Sequence, residues 1–300
     1  MNSPLRYPGG KSKLTSFINH TLNLNRVDGT FIEPFAGGAG VAINLLLEDQ
    51  VDRIVLNDLD DGVYSFWHTV LTDPDYLLQG IDRVPFDYSD GKPTVRPMEY
   101  AGFWKIVKHR YDAGQYMDMR RKGLDFLLLN RMNISGIITG GPIGGVTQNG
   151  KYNVSSRFNK TTLRKRITRI AAVRERIIVT NLDAIRFLNQ LDGFCDRENS
   201  FLFLDPPYFV QGPRLYTTPV DHAKLAEQLQ ALSGWRWLLT YDKNPSILSL
   251  YSDVQRFEYW IAYSANKRGL YQELMFASKN TLMESYDNVT LNQLNKEEEK

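Results

Sequence analysis

The sequence predicts an α/β fold interrupted by a helical insertion, and three observations carry that reading. Short apolar runs alternate with helical periodicity at both ends of the 300-residue chain. The alternation stops between about residues 60 and 160. Positive charge is concentrated there and just beyond: residues 96–176 hold 17 Lys/Arg against 5 Asp/Glu, while the remainder holds 19 against 29.

Each element follows in order. Residues 11–24 have helical spacing, and Thr30 to Phe35 is an apolar run broken by Pro34 and a glycine cluster, which reads as a strand and a turn. Val41 to Glu48 reads as a helix, and Arg53 to Asn57 as a second buried strand delivering Asp58 at its carboxyl end, completing a βαβ unit. Helical patterns over 60–82, 98–113 and 117–133 lead into a Gly/Asn/Thr-rich loop, 134–160. The helix Asn159 to Arg176 sets Leu163, Ile167 and Ile170 on one face and Arg164, Lys165, Arg166 and Arg169 around the others. Strands at Ile177–Thr180, Phe201–Leu204 and Trp237–Tyr241 then alternate with helices over 183–191 and 221–233. Phe257–Ala262 and Glu273–Ala277 suggest a closing antiparallel pair. The expected organisation is a discontinuous α/β domain, 1–59 with 161–284, an inserted helical domain, 60–160, and a disordered tail, 285–300, too poor in apolar residues to order itself.

Composition excludes several function classes. With one cysteine, Cys195, no disulfide forms within the chain, and His20, His68, His109 and His222 lack metal-ligand spacing, so no metal is expected. No apolar stretch approaches the ~18 residues of a membrane span, and no signal-peptide core follows the N-terminus. A cytoplasmic protein without a membrane partner is the expectation. The basic segment is the footprint of a surface that meets a polyanion.

Three motifs remain. Phe31-Ile-Glu-Pro-Phe-Ala-Gly-Gly-Ala-Gly40 runs from a strand through a glycine turn into a helix, where missing side chains let a ligand approach the backbone. Asp58, 18 residues after Gly40, stands where an acidic side chain binds ribose hydroxyls. The glycine spacing departs from GxGxxG, which disfavours a dinucleotide but allows a smaller adenosine ligand; tight helix–strand packing without a ligand is the alternative. Leu5-Arg-Tyr-Pro-Gly-Gly-Lys-Ser12 ends like a phosphate loop, but Leu5 stands where that loop needs glycine. Ser200-Phe-Leu-Phe-Leu-Asp-Pro-Pro-Tyr208 ends an apolar strand in a carboxylate, two prolines and an aromatic ring. The prolines make the turn rigid, so the Asp205 carboxylate and Pro206 carbonyl form an acceptor pair for an exocyclic amine, with Tyr208 to stack on the base.

Tyr-Pro-Gly-Gly-Lys, Glu-Pro-Phe-Ala-Gly-Gly-Ala-Gly, Asn57-Asp58, a basic helical insert and Asp-Pro-Pro-Tyr, in that order, resemble the Dam-type (alpha-class) adenine-specific DNA methyltransferases over nearly the whole chain. The resemblance implies a Rossmann-like S-adenosylmethionine-dependent methyltransferase sheet with a mainly helical target-recognition domain. It implies S-adenosylmethionine as cofactor, held by Tyr7, Lys11, Glu33, Phe35, Ala36, Gly37, Gly38, Asp58, Asp183 and Asp205. It further implies transfer to the amine of a flipped adenine in double-stranded DNA, with Asp205, Pro206, Pro207 and Tyr208 as catalytic residues. It places DNA contacts at Arg131, Asn133, Ile134, Ser135, Thr139, Lys151, Arg157 and Lys160. GATC-methylating members carry an intercalating aromatic, Asn and an Arg where this chain has Ile134, Ser135 and Thr139, so a GATC target does not carry over, although an apolar wedge at Ile134 does. The target sequence, the oligomeric state and the involvement of a restriction or defence partner protein stay open.

Two alternatives stand beside this reading. An exocyclic-amine cytosine methyltransferase shares the geometry, although Asp205 favours adenine over the Ser-Pro-Pro-Tyr pattern of that class. A non-catalytic DNA-binding protein on a methyltransferase fold would retain only the basic insert. A carbon-5 cytosine enzyme is excluded because Cys195 follows Phe194 rather than a proline.

Overall fold

Thr30–Glu33 and Ser200–Leu204 are buried along their whole length, as expected of strands covered on both faces of a sheet. The computed structural model describes all residues apart from 1, 8, 90–91, 94–96, 149–151, 210–219, 264–268 and 295–300. In chain order its strands are β1 (Thr30–Glu33), β2 (Arg53–Asn57), β3 (Tyr88–Ser89), β4 (Lys92–Pro93), β5 (Ile177–Thr180), β6 (Ser200–Leu204), β7 (Arg236–Asp242), β8 (Gln255–Tyr263), β9 (Gly269–Ala277) and β10 (Asn292–Gln293). The described chain forms two units, Lys11–Asp60 with residues from Arg176 onward, and Asn2–Gly10 with Asp61–Glu175.

The first unit holds one sheet in the order β10-β8-β9-β7-β6-β1-β2-β5. The five strands β5, β2, β1, β6 and β7 are parallel, and β9 runs antiparallel between β7 and β8. After β1 the chain moves to β2 on one side, and later returns to β6 on the other. The carboxyl ends of β1 and β6 therefore flank the topological switch point, where open α/β sheets bind ligands. Helices α1 (Thr15–Leu24) and α2 (Gly40–Leu47) belong to this unit. One core joins Ile32, Val55, Leu202, Leu204, Trp237 and Leu239 to Leu225 and Leu229 of the helix His222–Ala231.

The second unit contains α3 (Asp61–Thr72), α4 (Pro74–Asp82), α5 (Pro97–Ala113), α6 (Met119–Met132) and α7 (Lys160–Ala171), with the β3–β4 ribbon. The helix expected over 60–82 is two helices, because Asp73 caps the second by accepting the Tyr76 N–H at 3.2 Å and Pro74 starts it. A Cβ on Gly123 of α6 would stand 2.5 Å from the Ser65 carbonyl, so glycine is what lets α3 and α6 approach.

Two boundaries differ from expectation. Residues 161–175 and the leader 2–10 belong to the helical unit. Leu163, Ile167 and Ile170 of α7 are buried there, and Arg164 bonds Asp82 of α4 at 2.5 Å. Asn130 clips the leader, accepting the Arg6 N–H at 2.8 Å and donating to the Arg6 carbonyl at 2.7 Å. Residues 285–294 of the expected tail are ordered. Asn292 and Gln293 pair with Glu258 and Phe257 of β8, the Leu294 N–H donates to the Arg256 carbonyl at 2.9 Å, and Tyr286 stacks on His20 with ring centroids 4.0 Å apart. The free backbone of a sheet edge supplies these bonds, and composition does not register it. Residues 295–300 lie outside the described set.

Candidate active site

Asn57, buried at the end of β2, ties three strand ends together. Its amide donates to the carbonyls of Pro34 (3.0 Å) after β1 and Leu182 (2.9 Å) after β5. Its carbonyl accepts from the Thr180 hydroxyl (2.8 Å) and the Leu182 N–H (3.0 Å). Asp58 follows, its carboxylate accepting the N–H groups of Gly37 (2.8 Å) and Asp60 (2.9 Å). Here a cavity of about 390 Å³ opens, lined in part by Pro34, Phe35, Asp58, Asp183, Ile185 and Pro207, a volume suited to a small ligand. Burial pushes Asp58 up to about 7 against the two N–H bonds that favour its charge. Asp60, Asp183 and Asp221 also line the cavity, and Lys224 is the basic residue among its walls. The net acidic lining suits a ligand that carries positive charge.

The residues expected to bind cofactor are distributed around this cavity rather than all upon it. Phe35, Asp58 and Asp183 line it, although one Asp183 oxygen is spent on the N–H groups of Ile185 and Arg186 at the start of α8 (Ala184–Leu188). Ala36, Gly37 and Gly38 form the adjoining turn, where the Ala36 N–H donates to the Asn57 carbonyl at 2.9 Å and Gly37 adopts φ 44°. Glu33 lies off the cavity. It accepts the Ala42 N–H of α2 at 3.0 Å, and burial pushes it up to about 8. Tyr7 belongs to the helical unit. Lys11 and Asp205 join a second cluster, and neither is a wall of the cavity.

That cluster forms where β6 ends in Asp205-Pro206-Pro207-Tyr208. Asp205 Oδ1 accepts the Thr240 hydroxyl at 2.7 Å and stands 3.0 Å from the Lys11 ammonium. Among the described residues no donor reaches Asp205 Oδ2 or the Pro206 carbonyl, so both acceptors are open. Burial raises the Asp205 pKa, opposed by Lys11 and reinforced by Glu273. Lys11, itself buried, donates to the Tyr208 hydroxyl at 2.6 Å and lies 4.9 Å from the centre of that ring. The Tyr208 hydroxyl in turn donates to Glu273 at 2.6 Å. Glu273 also accepts from Tyr259 and stands 3.5 Å from the Lys11 ammonium. Thr240 and Glu273 were not legible as site residues. The one signal was a carboxylate inside the apolar run of β9.

The open acceptor pair of Asp205 and Pro206 thus directly precedes Pro207, a wall of the acidic cavity. The model of the D12 class N6 adenine-specific DNA methyltransferases matches residues 7–266. The chain belongs to that family. Relatives include the type II methyltransferase M.MjaIII of Methanocaldococcus jannaschii, 21% identical over 210 residues that span 68% of this chain and 68% of that protein. The modification methylase StsI of Streptococcus sanguinis is 24% identical over 225 residues, 70% of this chain but 29% of that protein. Among solved structures, the rRNA methyltransferase AviRa of Streptomyces viridochromogenes aligns with a TM-score of 0.39 and 13% identity, over 92% of this chain and 87% of that one. The Dam-type resemblance is borne out, and the chain is an adenine-specific DNA methyltransferase, which sets aside the cytosine alternative.

In this methyltransferase the residues expected to contact DNA separate into two groups. Arg131 is buried, its guanidinium donating to the Arg157 carbonyl (Nε, 2.8 Å) and to the Pro4 carbonyl (3.5 Å). Burial, then the charges of Arg6, Arg166 and Arg157, push it down to about 9. Asn133 is fully buried, donating to the carbonyls of Ile137 (2.8 Å) and Ile138 (3.1 Å) and accepting the Trp104 indole N–H at 2.7 Å. Lys160 spends its ammonium on the carbonyls of Asp82 (3.0 Å) and Val84 (2.6 Å) at the end of α4. Arg131 and Asn133 are thus spent inside the helical unit and not presented as the DNA contacts expected of them, whereas Lys160 is half-buried with its ammonium tied to the end of α4. Ile134, 48% exposed, Thr139 and Arg157 face solvent, and Ser135 sits half-buried at φ 57°. Lys151 lies outside the described residues.

Proposed function

We propose that this methyltransferase moves the methyl group of S-adenosylmethionine to the N6 amine of an adenine turned out of duplex DNA, in the cytoplasm, leaving S-adenosylhomocysteine and releasing one N6 proton to solvent. The observation that carries the reading is Asp205: one carboxylate oxygen is closed by Thr240 and Lys11, and the other stays open beside the open Pro206 carbonyl. Two acceptors match the two hydrogens of an exocyclic amine. Accepting both pulls the nitrogen lone pair out of conjugation with the ring and stabilises the positive charge that develops as the amine attacks. Tyr208, its hydroxyl tied to Glu273, provides an oriented ring for stacking, which repays part of the few kcal/mol spent on unstacking the base.

The acidic cavity fits the cofactor. Asp58 would take the ribose hydroxyls, Phe35 and Ile185 the faces of the adenine, and the acidic walls suit its sulfonium and ammonium charges. When bound, the cofactor supplies an electrophilic methyl group on sulfur. The DNA face of the helical unit would carry Ile134 as an apolar wedge, Ser135 and Thr139 at the base edges, and Arg157 at the phosphates. A restriction or defence partner is compatible with the two methylase relatives.

The test incubates the full chain with isotopically labelled S-adenosylmethionine and adenine-unmethylated duplex, then identifies the labelled nucleoside by mass spectrometry. Label on N6 of deoxyadenosine supports the reading. Cofactor binding without labelled adenine overturns it.

A further inference from the structure

We infer that Glu273 and Thr240 are positioning residues for methyl transfer: with Lys11 they close one oxygen of Asp205 and leave the other for the amine. This rests on the reading of Asp205 as the acceptor of the amine.

The argument begins with a cost. Glu273 lies in the interior of the sheet, opposite Asp242 of β7 and Tyr259 of β8, and only 3% of its surface is exposed. A buried carboxylate within an apolar strand opposes folding unless its oxygens are satisfied, and the sheet's own hydrogen bonds do not need it. Its oxygens are used instead toward the end of β6. One accepts from Tyr208 at 2.6 Å, and the other accepts from Tyr259 and faces Lys11 at 3.5 Å. Lys11 thus sits between two carboxylates, 3.0 Å from Asp205 and 3.5 Å from Glu273, with a donor given to the Tyr208 hydroxyl as well. A lysine shared in this way is held at Asp205 Oδ1 and kept from swinging across to the open oxygen. Thr240, fully buried on β7, adds a second donor to Oδ1 at 2.7 Å. A carboxylate held at one oxygen by two donors from different elements has its plane fixed, and fixed placement is what an in-line transfer requires.

The charges around Asp205 give this arrangement a signature. Glu33 faces it from β1, Lys11 from the leading segment, Tyr208 from its own turn, Tyr241 from β7, and Glu273 from β9 with Tyr259 of β8 behind it. Glu273 raises the Asp205 pKa, whereas Lys11 and Thr240 lower it. Neutralising Glu273 and removing the Thr240 hydroxyl therefore move the titration of Asp205 in opposite directions. A role confined to stability would leave the plateau rate of the folded variants at the parent's.

The experiment measures single-turnover methylation of duplex DNA against pH, with saturating S-adenosylmethionine, for the full chain and for Glu273→Gln, Thr240→Val and Thr240→Ser. Dissociation constants for cofactor and duplex are measured alongside. We expect Glu273→Gln to keep both constants within about twofold, to lose roughly 10- to 100-fold in the plateau rate, and to shift the acid limb to lower pH. Thr240→Val should lose about tenfold and shift the limb to higher pH, while Thr240→Ser retains the parent profile. Plateau rates within about twofold of the parent, or limbs unmoved, in both Glu273→Gln and Thr240→Val, with the parent chain methylating adenine, overturn the inference. Should Glu273→Gln fail to fold, an unmoved limb in Thr240→Val alone overturns it. A parent chain that labels no adenine overturns the underlying reading instead.

Discussion

Glu33 and Asp58 are acidic residues at the carboxyl ends of the neighbouring strands β1 and β2, and their environments assign them different work. Asp58 opens onto the cavity with a pKa of about 7, and Glu33 caps α2 with one of about 8. Both lie above the ordinary carboxylate range, so between about pH 4 and 8 the folded chain holds more protons than the unfolded chain. Stability of the ligand-free protein therefore falls as pH rises through that window. Glu33→Gln keeps an acceptor for the Ala42 N–H and removes the ionisation. It should leave the melting temperature near pH 5 unchanged and raise it near pH 8, as thermal melts at both pH values would show. If Asp58 takes the cofactor's ribose as proposed, binding favours its charged form. Cofactor affinity should climb with pH to about 7 and then level off, with a proton released on binding below that point. Calorimetry in buffers of different ionisation enthalpy measures that proton, and an equal heat in all buffers at about pH 6 would refute it. At the proposed amine acceptor, Asp205→Ala should abolish methylation while duplex affinity stays within about twofold. Equal loss of folding and binding would mark Asp205 as structural.

At the scale of elements, the loops of the helical unit show how a charge can be deceptive. Arg131 and Arg157 are both arginines of a basic segment, yet one is interior and the other exposed. Arg131→Ala strips hydrogen bonds from the Arg157 and Pro4 carbonyls and should cost about 2–4 kcal/mol in chemical denaturation. Arg157→Ala should leave stability within about 0.5 kcal/mol and weaken duplex binding, lowering the salt slope by about 0.9 for one phosphate. An unchanged slope would remove Arg157 from the DNA face. Residue type and local spacing could not separate the two, because burial of an arginine depends on where the leader and residues 153–158 pass. The same applies to Lys160, whose partners Asp82 and Val84 lie at and just beyond the end of α4, 78 and 76 positions away.

For the molecule as a whole, the end of the chain is part of the sheet. Truncation before Ser285 removes the β10 pairing and the His20–Tyr286 stack, and should lower the unfolding free energy by about 1–2 kcal/mol; an unchanged denaturation midpoint would return residues 285–294 to the status of a tail. The sequence by itself determined the α/β class, the insertion, the glycine turn, Asp58 and the Asp-Pro-Pro-Tyr end of β6. These are local properties: periodicity, turn chemistry and acceptors at strand ends are written in consecutive residues. Only the tertiary structure decided that Glu33 caps a helix, that Lys11 stands 3.0 Å from Asp205, that Arg131 and Asn133 are buried while Lys160 is tied to the end of α4, and that Thr240 and Glu273 gather with Lys11 around Asp205 and Tyr208. Those assignments depend on which distant segments the sheet order brings within hydrogen-bond distance. For a buried ionisable group, the partner found there decides whether its charge supports the fold or the chemistry.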